Sequence, residues 1–208
     1  MYLPAHFEET DQETIRDLIS AFPLATLVAQ TPDGLVANHI PLMMNRDGTL
    51  VGHIAAANPM HQLITPDQDV LAIFQGADAY VSPNWYPTKL ETHQQVPTWN
   101  YEVVHVHGRI LFQHDAKAKI AAVGQLTKEF ETRTNGADGW RLADAPQDYL
   151  KARLADIVAF KMQINRIVAK SKLNQNKAPQ DIDNVAKMLS LHGAERMASR
   201  MKLRNSDD

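Results

Sequence analysis

LATLVAQTPDGLVANHIPLMMNRDGTLVGHIAA, residues 24–56, decides the fold. LATLVAQ (24–30) alternates as a strand, TPDG (31–34) turns, and LVANHIPLMM (35–44) reads as a second strand. NRDG (45–48) turns the chain again and TLVGHIAA (49–56) returns. Asp33-Gly34 and Asp47-Gly48 each supply the glycine that hairpin turns demand. Three antiparallel strands in a row predict a meander.

Upstream, Ile15, Leu18, Ile19 and Phe22 recur at helical spacing. Thr10 and Glu13 fit a capping box, and Pro23 ends the helix. Downstream, Asn58 caps a short helix over about 59–65, with Pro59 at its first position. DVLAIFQG (69–76) is a strand that AYVS (79–82) continues past a bulge at Gly76. Residues 83–98 form a polar, proline-containing loop, and YEVVHVHGRILF (101–112) a long strand. A helix follows over 115–132 on Ile120, Val123, Leu126 and Phe130, then another over 145–154. DIVAFKMQINRIVAK (156–170) alternates as the last strand. Residues 179–204 are helical, with a break at His192-Gly193. The pattern predicts a mainly β chain with peripheral helices (α+β), its antiparallel strands forming a closed or partly closed barrel. No strand-helix-strand series with a glycine-rich turn suggests a doubly wound fold. The expected organisation is a barrel domain over 1–178 and a helical extension over 179–208, packed on the barrel or on a dimer interface.

At 208 residues one well-buried domain is affordable. The net charge of −3 lacks the footprint of a non-specific nucleic-acid binder. Cysteine is absent, which excludes disulfides, thiolate metal sites and cysteine nucleophiles. The N-terminus shows no secretory pattern and no apolar run has spanning length, so a cytoplasmic protein with no membrane partner is expected.

Chemistry-bearing residues concentrate in Tyr80–Arg109, which holds Trp85, Tyr86, Trp99, Tyr101, His105 and His107. The aromatics can stack on a flat ligand, Asn100 can read the edge of a heterocycle, and Lys89 can meet an anion. The same residues can equally form a satellite core under a long loop. His39 and His53 stand at similar distances from the NRDG turn, so they can be neighbours across the ladder, binding backbone or ligand, or a metal. His105 and His107 form an HxH pair on one strand face, facing solvent or ligand by default and a metal otherwise. Ala55-Ala56-Ala57 leads into the helix start at Asn58, where free N–H groups can take a phosphate or simply be capped. SKLNQNK (171–177) can cover an anionic ligand or be a solvated turn. In the tail, Arg196, Arg200 and Arg204 make a basic stripe that can meet DNA, while Met188, Leu189, Leu191, Met197 and Met201 make an apolar docking face.

Several segments together resemble one family, the PaiB-like FMN-binding negative transcriptional regulators. They are MYLPAHF (1–7), NHIPLMM, GHIAAANPMH (52–61), YVSPNWYPTK, VPTWNY followed by VHVHG, and KLNQNK. The resemblance spans nearly the whole chain and implies an FMN-binding split β-barrel, like that of pyridoxamine-phosphate oxidase and flavin-reductase-like proteins. It further implies a homodimer with FMN at the subunit interface, contacted by the hairpin of residues 37–58. Carried over by position, the FMN-binding residues are His39, His53, Asn58, Lys89, Trp99 and Asn100, with Lys172 closing the site. One departure stands out. The family usually has a basic residue where this chain has Ala55-Ala56-Ala57, and losing that charge-assisted bond removes roughly 1.5–3 kcal/mol. Weak FMN binding is therefore expected, unless another Lys or Arg compensates.

The resemblance implies a negative transcriptional regulator. The alternative is an FMN-dependent oxidoreductase or flavin reductase on the same barrel, with His105, His107 or Tyr86 as proton donor. No residue set demands catalysis. A haem-utilisation protein rests only on His105 and His107.

Overall fold

The structure is a computed structural model that describes residues 1–205, so the last three positions of the 179–208 extension lie outside the described residues. In chain order the elements are β1 (Glu8–Glu9), α1 (Gln12–Ala21), β2 (Leu24–Thr31), β3 (Gly34–Pro41), β4 (Met43–Met44), β5 (Thr49–Ala55) and α2 (Met60–Leu63). There follow β6 (Asp69–Val81), α3 (Lys89–Thr92), β7 (Thr98–Gln113), α4 (Ala116–Asn135), α5 (Gln147–Ala155), β8 (Ile157–Lys172), α6 (Pro179–Leu191) and α7 (Glu195–Arg204). The strands form one antiparallel sheet in the order β3-β2-β6-β7-β8-β5-β4, with β1 pairing β8 off that path. The chain divides into two compact units, one of Met1–Leu18, Gln75–Val104 and residues from Val168 onward, the other of Ile19–Phe74 and His105–Ile167.

In the second unit, β2 and β3 pair as the alternation requires, with Thr26 opposite His39 and Val28 opposite Ala37. The expected meander does not form. The chain breaks at Leu42, which is buried and whose N–H bonds the Pro23 carbonyl at 2.8 Å. Beyond the break, β4 pairs β5, and β5 pairs β8 with His53 opposite Ala159. β3 and β5 share no ladder, so the sheet is not closed between them: the barrel is split. Leu27, Leu50, Phe74, Val106, Ile110, Phe160 and Met162 fill this unit's interior. Asp115 caps α4 by accepting the Ala118 N–H at 2.9 Å, and Ala122 packs against Val51 and Ala159. Ile120, counted in the apolar stripe of α4, is not in that core but 46% exposed.

In the first unit, Tyr86, Val81 and Leu173 share a core with Ile182, Val185 and Leu189 of α6 and Met197 and Met201 of α7. Gly193, at φ +80°, separates the two helices at the expected break. Leu191, placed on the docking face by its spacing, is instead exposed. Asp11, not Thr10, caps α1: its Oδ2 accepts the Thr14 N–H at 2.7 Å. β6 runs through Gly76 without a break. The glycine is there because a Cβ would lie 3.0 Å from Glu102 Cβ and 3.2 Å from its carbonyl oxygen.

Candidate flavin site

The open seam between β3 and β5 is where the second unit gathers its predicted residues. A cavity of 330 Å³ lies there, within the roughly 300–1,000 Å³ of small-molecule sites. Asn38 and His39 come from β3, His53 and Ala55 from β5, Asn58 from the turn before α2, and Asp156 from the residue before β8. His39 and His53 are thus brought together, but across the cavity and not as ladder partners.

Asn58 builds the frame. Its Oδ1 accepts the Met60 N–H at 3.0 Å, the capping bond read from the sequence. Its Nδ2 donates to Asn38 Oδ1 at 2.8 Å, and Asn38 Nδ2 reaches Met60 Sδ at 3.3 Å. Of the two readings of this helix start, the simple cap is the one the geometry favours. α2 is a single turn, too short for a sizeable dipole, and the N–H groups of Ala56, Asn58 and Met60 are committed within the chain. Ala56 N–H goes to the Asp156 carbonyl at 2.8 Å and Asn58 N–H to the Ala55 carbonyl at 2.9 Å.

His53 is the group left open. Its Nδ1 is buried without a hydrogen-bond partner. Burial holds the imidazole below its ordinary pKa and keeps it neutral near pH 7. No Lys or Arg lines the cavity, and Asp156 pairs with Arg153 at 3.1 Å, so no compensating cation appears in its lining. These donors and acceptors fit the polar edge or ribityl hydroxyls of a flavin, with no cation fixed for its phosphate.

The remaining predicted residues belong to the first unit. Trp99 is half-exposed and meets Tyr80 edge-on at 6.2 Å. Lys172 donates to the Trp99 carbonyl at 2.7 Å and to Thr98 Oγ1, and burial followed by the charges of Lys170 and Lys177 lowers its pKa. Lys89 donates to Asn84 Oδ1. Asn100 is fully buried under α7, where its Nδ2 meets Met201 Sδ at 3.2 Å and its Oδ1 has no partner. Tyr86 and Trp85 join the tail rather than an open face: Tyr86 is in the core and Trp85 stacks on His192 at 5.2 Å. The basic stripe of α7 also turns inward in part. Arg200 pairs with buried Glu102 at 2.9 Å, and Arg204 donates to the Glu8 carbonyl at 3.3 Å.

His105 and His107 stay half-exposed on β7, and Arg166 lies 3.3 Å from His107 Nε2. Burial lowers both pKa values, helped at His107 by the Arg166 charge. Among the described residues no group of three or more His, Asp or Glu converges as a metal site. Sequence reasoning missed Asn38 and Glu102. Each is a polar residue in register with inward apolar neighbours, Ile40 for the first and Val104 for the second, and that misfit was the available signal.

Residues 1–166 match the family described as "Putative FMN-binding domain", and the chain belongs to that family. FMN is therefore its assigned cofactor. The chain is 31% identical over 193 residues to the protease synthase and sporulation protein PAI 2 of Bacillus subtilis, covering 91% of this chain and 89% of that one. It is 34% identical over 161 residues to an uncharacterized protein of Saccharomyces cerevisiae, covering 65% of this chain and 94% of that one. Among solved structures, the FAD and heme binding protein from Mycobacterium smegmatis superposes with a TM-score of 0.59 at 20% identity, over 84% of this chain and 78% of that one. The flavocytochrome Anf3 from Azotobacter vinelandii gives 0.59 at 15% identity, over 84% and 74%. These likenesses show the split-barrel fold. No helix among the described residues is long and apolar enough to cross a membrane.

Proposed function

We propose that this chain is a cytoplasmic homodimer that binds FMN weakly and acts as a negative regulator, with His39, His53 and Asn58 on the flavin. The observation that carries the reading is His53, whose buried Nδ1 lacks a partner at the cavity between β3 and β5. A buried polar atom left unpaired costs about 1–3 kcal/mol, and a flavin heteroatom or hydroxyl would satisfy it. Bound FMN supplies a redox-active ring system and an anionic phosphate. The chain's part is to hold the polar edge through the neutral imidazole of His53 and the ring of His39, and to frame it with Asn38 and Asn58.

The dimer reading draws on the uncovered sheet face. Leu24 and Leu35 are 61% and 74% exposed, and Val28, Leu71 and Ile73 are half-buried on neighbouring β2 and β6. Contiguous apolar surface of this kind marks an interaction site. His39 faces outward on β3 opposite Thr26, at the border of that face and the cavity. A second copy laid on the sheet would meet the flavin there and could bring Lys89, Trp99 and Lys172 to it. Regulation through the bound small molecule is favoured over direct DNA contact, because Arg200 and Arg204 are turned onto the protein.

The test is a titration of the full chain with FMN and with riboflavin, followed by flavin fluorescence. Both should bind, with affinities within about tenfold, because no cation lines the cavity and Lys89 and Lys172 are already bonded to Asn84 and Trp99. Ala55→Arg should raise FMN affinity at least about tenfold and leave riboflavin unchanged. His53→Leu should weaken both. Absence of flavin binding at high concentration, or a monomer in sedimentation at all concentrations, overturns the reading. Steady NAD(P)H oxidation with FMN would shift it to an oxidoreductase, and salt-dependent, sequence-preferring DNA binding to direct repression.

A further inference from the structure

A second cavity lies outside the candidate flavin site, between α4 and α5. At 450 Å³ it is larger than the cavity holding His53. Its walls are two helix stripes that face each other. Ala116, Lys119 and Ile120 come from α4, and Leu150, Lys151 and Leu154 from α5. The spacing of three and four residues puts each set on one side of its helix. Leu154 is buried on the floor, while Ile120 stays 46% exposed at the mouth. Protein interiors are close-packed, so facing apolar stripes that leave such a gap are unusual.

The ionisable groups lining this cavity include no carboxylate. They are His114, Lys119 and Lys151. Of the neighbouring carboxylates, exposed Asp148 on the first turn of α5 is not part of the lining, and two others are occupied elsewhere. Asp115 caps α4 through the Ala118 N–H at 2.9 Å, and Asp156 pairs with Arg153 at 3.1 Å. Neither lysine side chain makes a hydrogen bond or ion pair among the described residues. An apolar trough with unpaired cations at its rim is complementary to one kind of molecule: an apolar chain with an anionic head.

We infer that the groove between α4 and α5 binds a medium-chain aliphatic carboxylate, its chain against Ile120, Leu150 and Leu154 and its head between Lys119 and Lys151. The aliphatic part removes apolar wall from water, which supplies affinity. The two lysines select the anion over a neutral or cationic head of the same length. This site is independent of flavin binding, and its failure would leave the cavity of His53 untouched.

The test uses the full chain without added flavin and three ten-carbon probes below their aggregation concentrations: decanoate, decanol and decyltrimethylammonium. Calorimetry should show decanoate binding one to one, about tenfold more tightly than decanol, with the ammonium weakest. The double variant Lys119→Gln/Lys151→Gln should bring decanoate down to the level of decanol and leave decanol unchanged. Ile120→Trp, at an exposed position, should block all three by filling the mouth. Equal binding of the three probes overturns the proposal, as does decanoate binding that survives Ile120→Trp. Sedimentation is run alongside. If the chain dimerises in a way that Ile120→Glu abolishes and decanoate does not compete with, the occupant is a second copy and the proposal falls.

Discussion

Replacing Gly108 with alanine asks how closely β7 and β8 must approach. A Cβ at position 108 would lie 2.1 Å from the backbone oxygen of Gln163, 3.0 Å from its carbonyl carbon and 3.0 Å from Met162 Cε. An ordinary contact begins at 3.4 Å, so the strands must part locally by about 1.3 Å. The obstacle is backbone, which cannot rotate away as a side chain would. Adjacent strands lie only about 4.8 Å apart, and an opening of that size carries flanking N–H···O contacts of about 2.9 Å past 4 Å, beyond bonding range. Two lost ladder bonds cost roughly 1 kcal/mol each, and the misfit adds roughly 1–3 kcal/mol. Gly108→Ala should therefore lose about 3–5 kcal/mol, or roughly 6–20 °C in Tm for a chain of this length. Gly124→Ala is the matched control. It lies inside α4 with its nearest outside atom, Leu142 Cδ1, at 4.0 Å, and should gain about 0.5–1 kcal/mol from helix propensity. Urea unfolding followed by circular dichroism and tryptophan fluorescence measures both. A loss below about 1 kcal/mol at Gly108 would refute the close approach of the two strands.

Arg200→Met should destabilise by about 3–5 kcal/mol, because it removes the ion pair of Glu102, whose side chain is 2% exposed, and leaves it the longer contact to Ser171 Oγ at 3.4 Å. Glu102→Gln added to Arg200→Met should recover part of that loss in urea unfolding, and strictly additive losses would exclude the pairing. Burial lowers the pKa of His53, His105 and His107, so below the unfolded value of about 6.5 the unfolded chain binds protons that the folded chain refuses. Stability should thus be level above about pH 7.5 and fall on acidification through 6.5, and His53→Gln should flatten the fall; a urea midpoint that rises toward pH 5.5 contradicts this sign. Asn100→Leu should raise the stability of the flavin-free chain by about 1 kcal/mol by removing an unpaired buried oxygen, and should weaken FMN if Asn100 contacts it. Unchanged flavin affinity in that variant would assign Asn100 to the packing under α7 alone.

The strands of residues 24–56 were legible because alternation records which face each side chain takes. Gly34 at φ +110° and Gly48 at φ +78° sit at the turns they announced. Alternation does not record which strand a strand pairs with. That choice was made at Leu42, an apolar residue in a run of apolar residues, where burial and a bond to Pro23 turn the chain from one ladder to another. Gly76 shows the same limit. A glycine in a strand marks either a bulge or a close neighbour, and only the position of Glu102 decides between them. At α1, Thr10 and Asp11 both suit a cap, and the outcome rests on Glu9 Oε1 taking the Asp11 N–H at 3.0 Å, which orients Asp11 over the helix. The period of four placed Arg196, Arg200 and Arg204 on one side of α7 correctly, but helical spacing alone cannot say that this side meets a buried carboxylate.

The site was legible where its geometry is local. His39, His53 and Asn58 lie within 20 residues of one another, and the strands and turn that bring them together follow from short-range signals. Lys89, Asn100 and Lys172 instead take their surroundings from α3, α7 and the end of β8, far apart in the chain. Chemistry and local order still agree on one point. Among the described residues, the buried side-chain atoms without partners are His53 Nδ1 and Asn100 Oδ1, and both belong to residues that the sequence singled out for flavin. Leaving such an atom buried and unpaired costs about 1–3 kcal/mol, a cost that an apolar side chain would not carry. Beside His53, Asn38 and Asn58 bond each other and Met60, so the unpaired atom stands in a polar frame that is otherwise satisfied, and that contrast supports the flavin reading of the cavity.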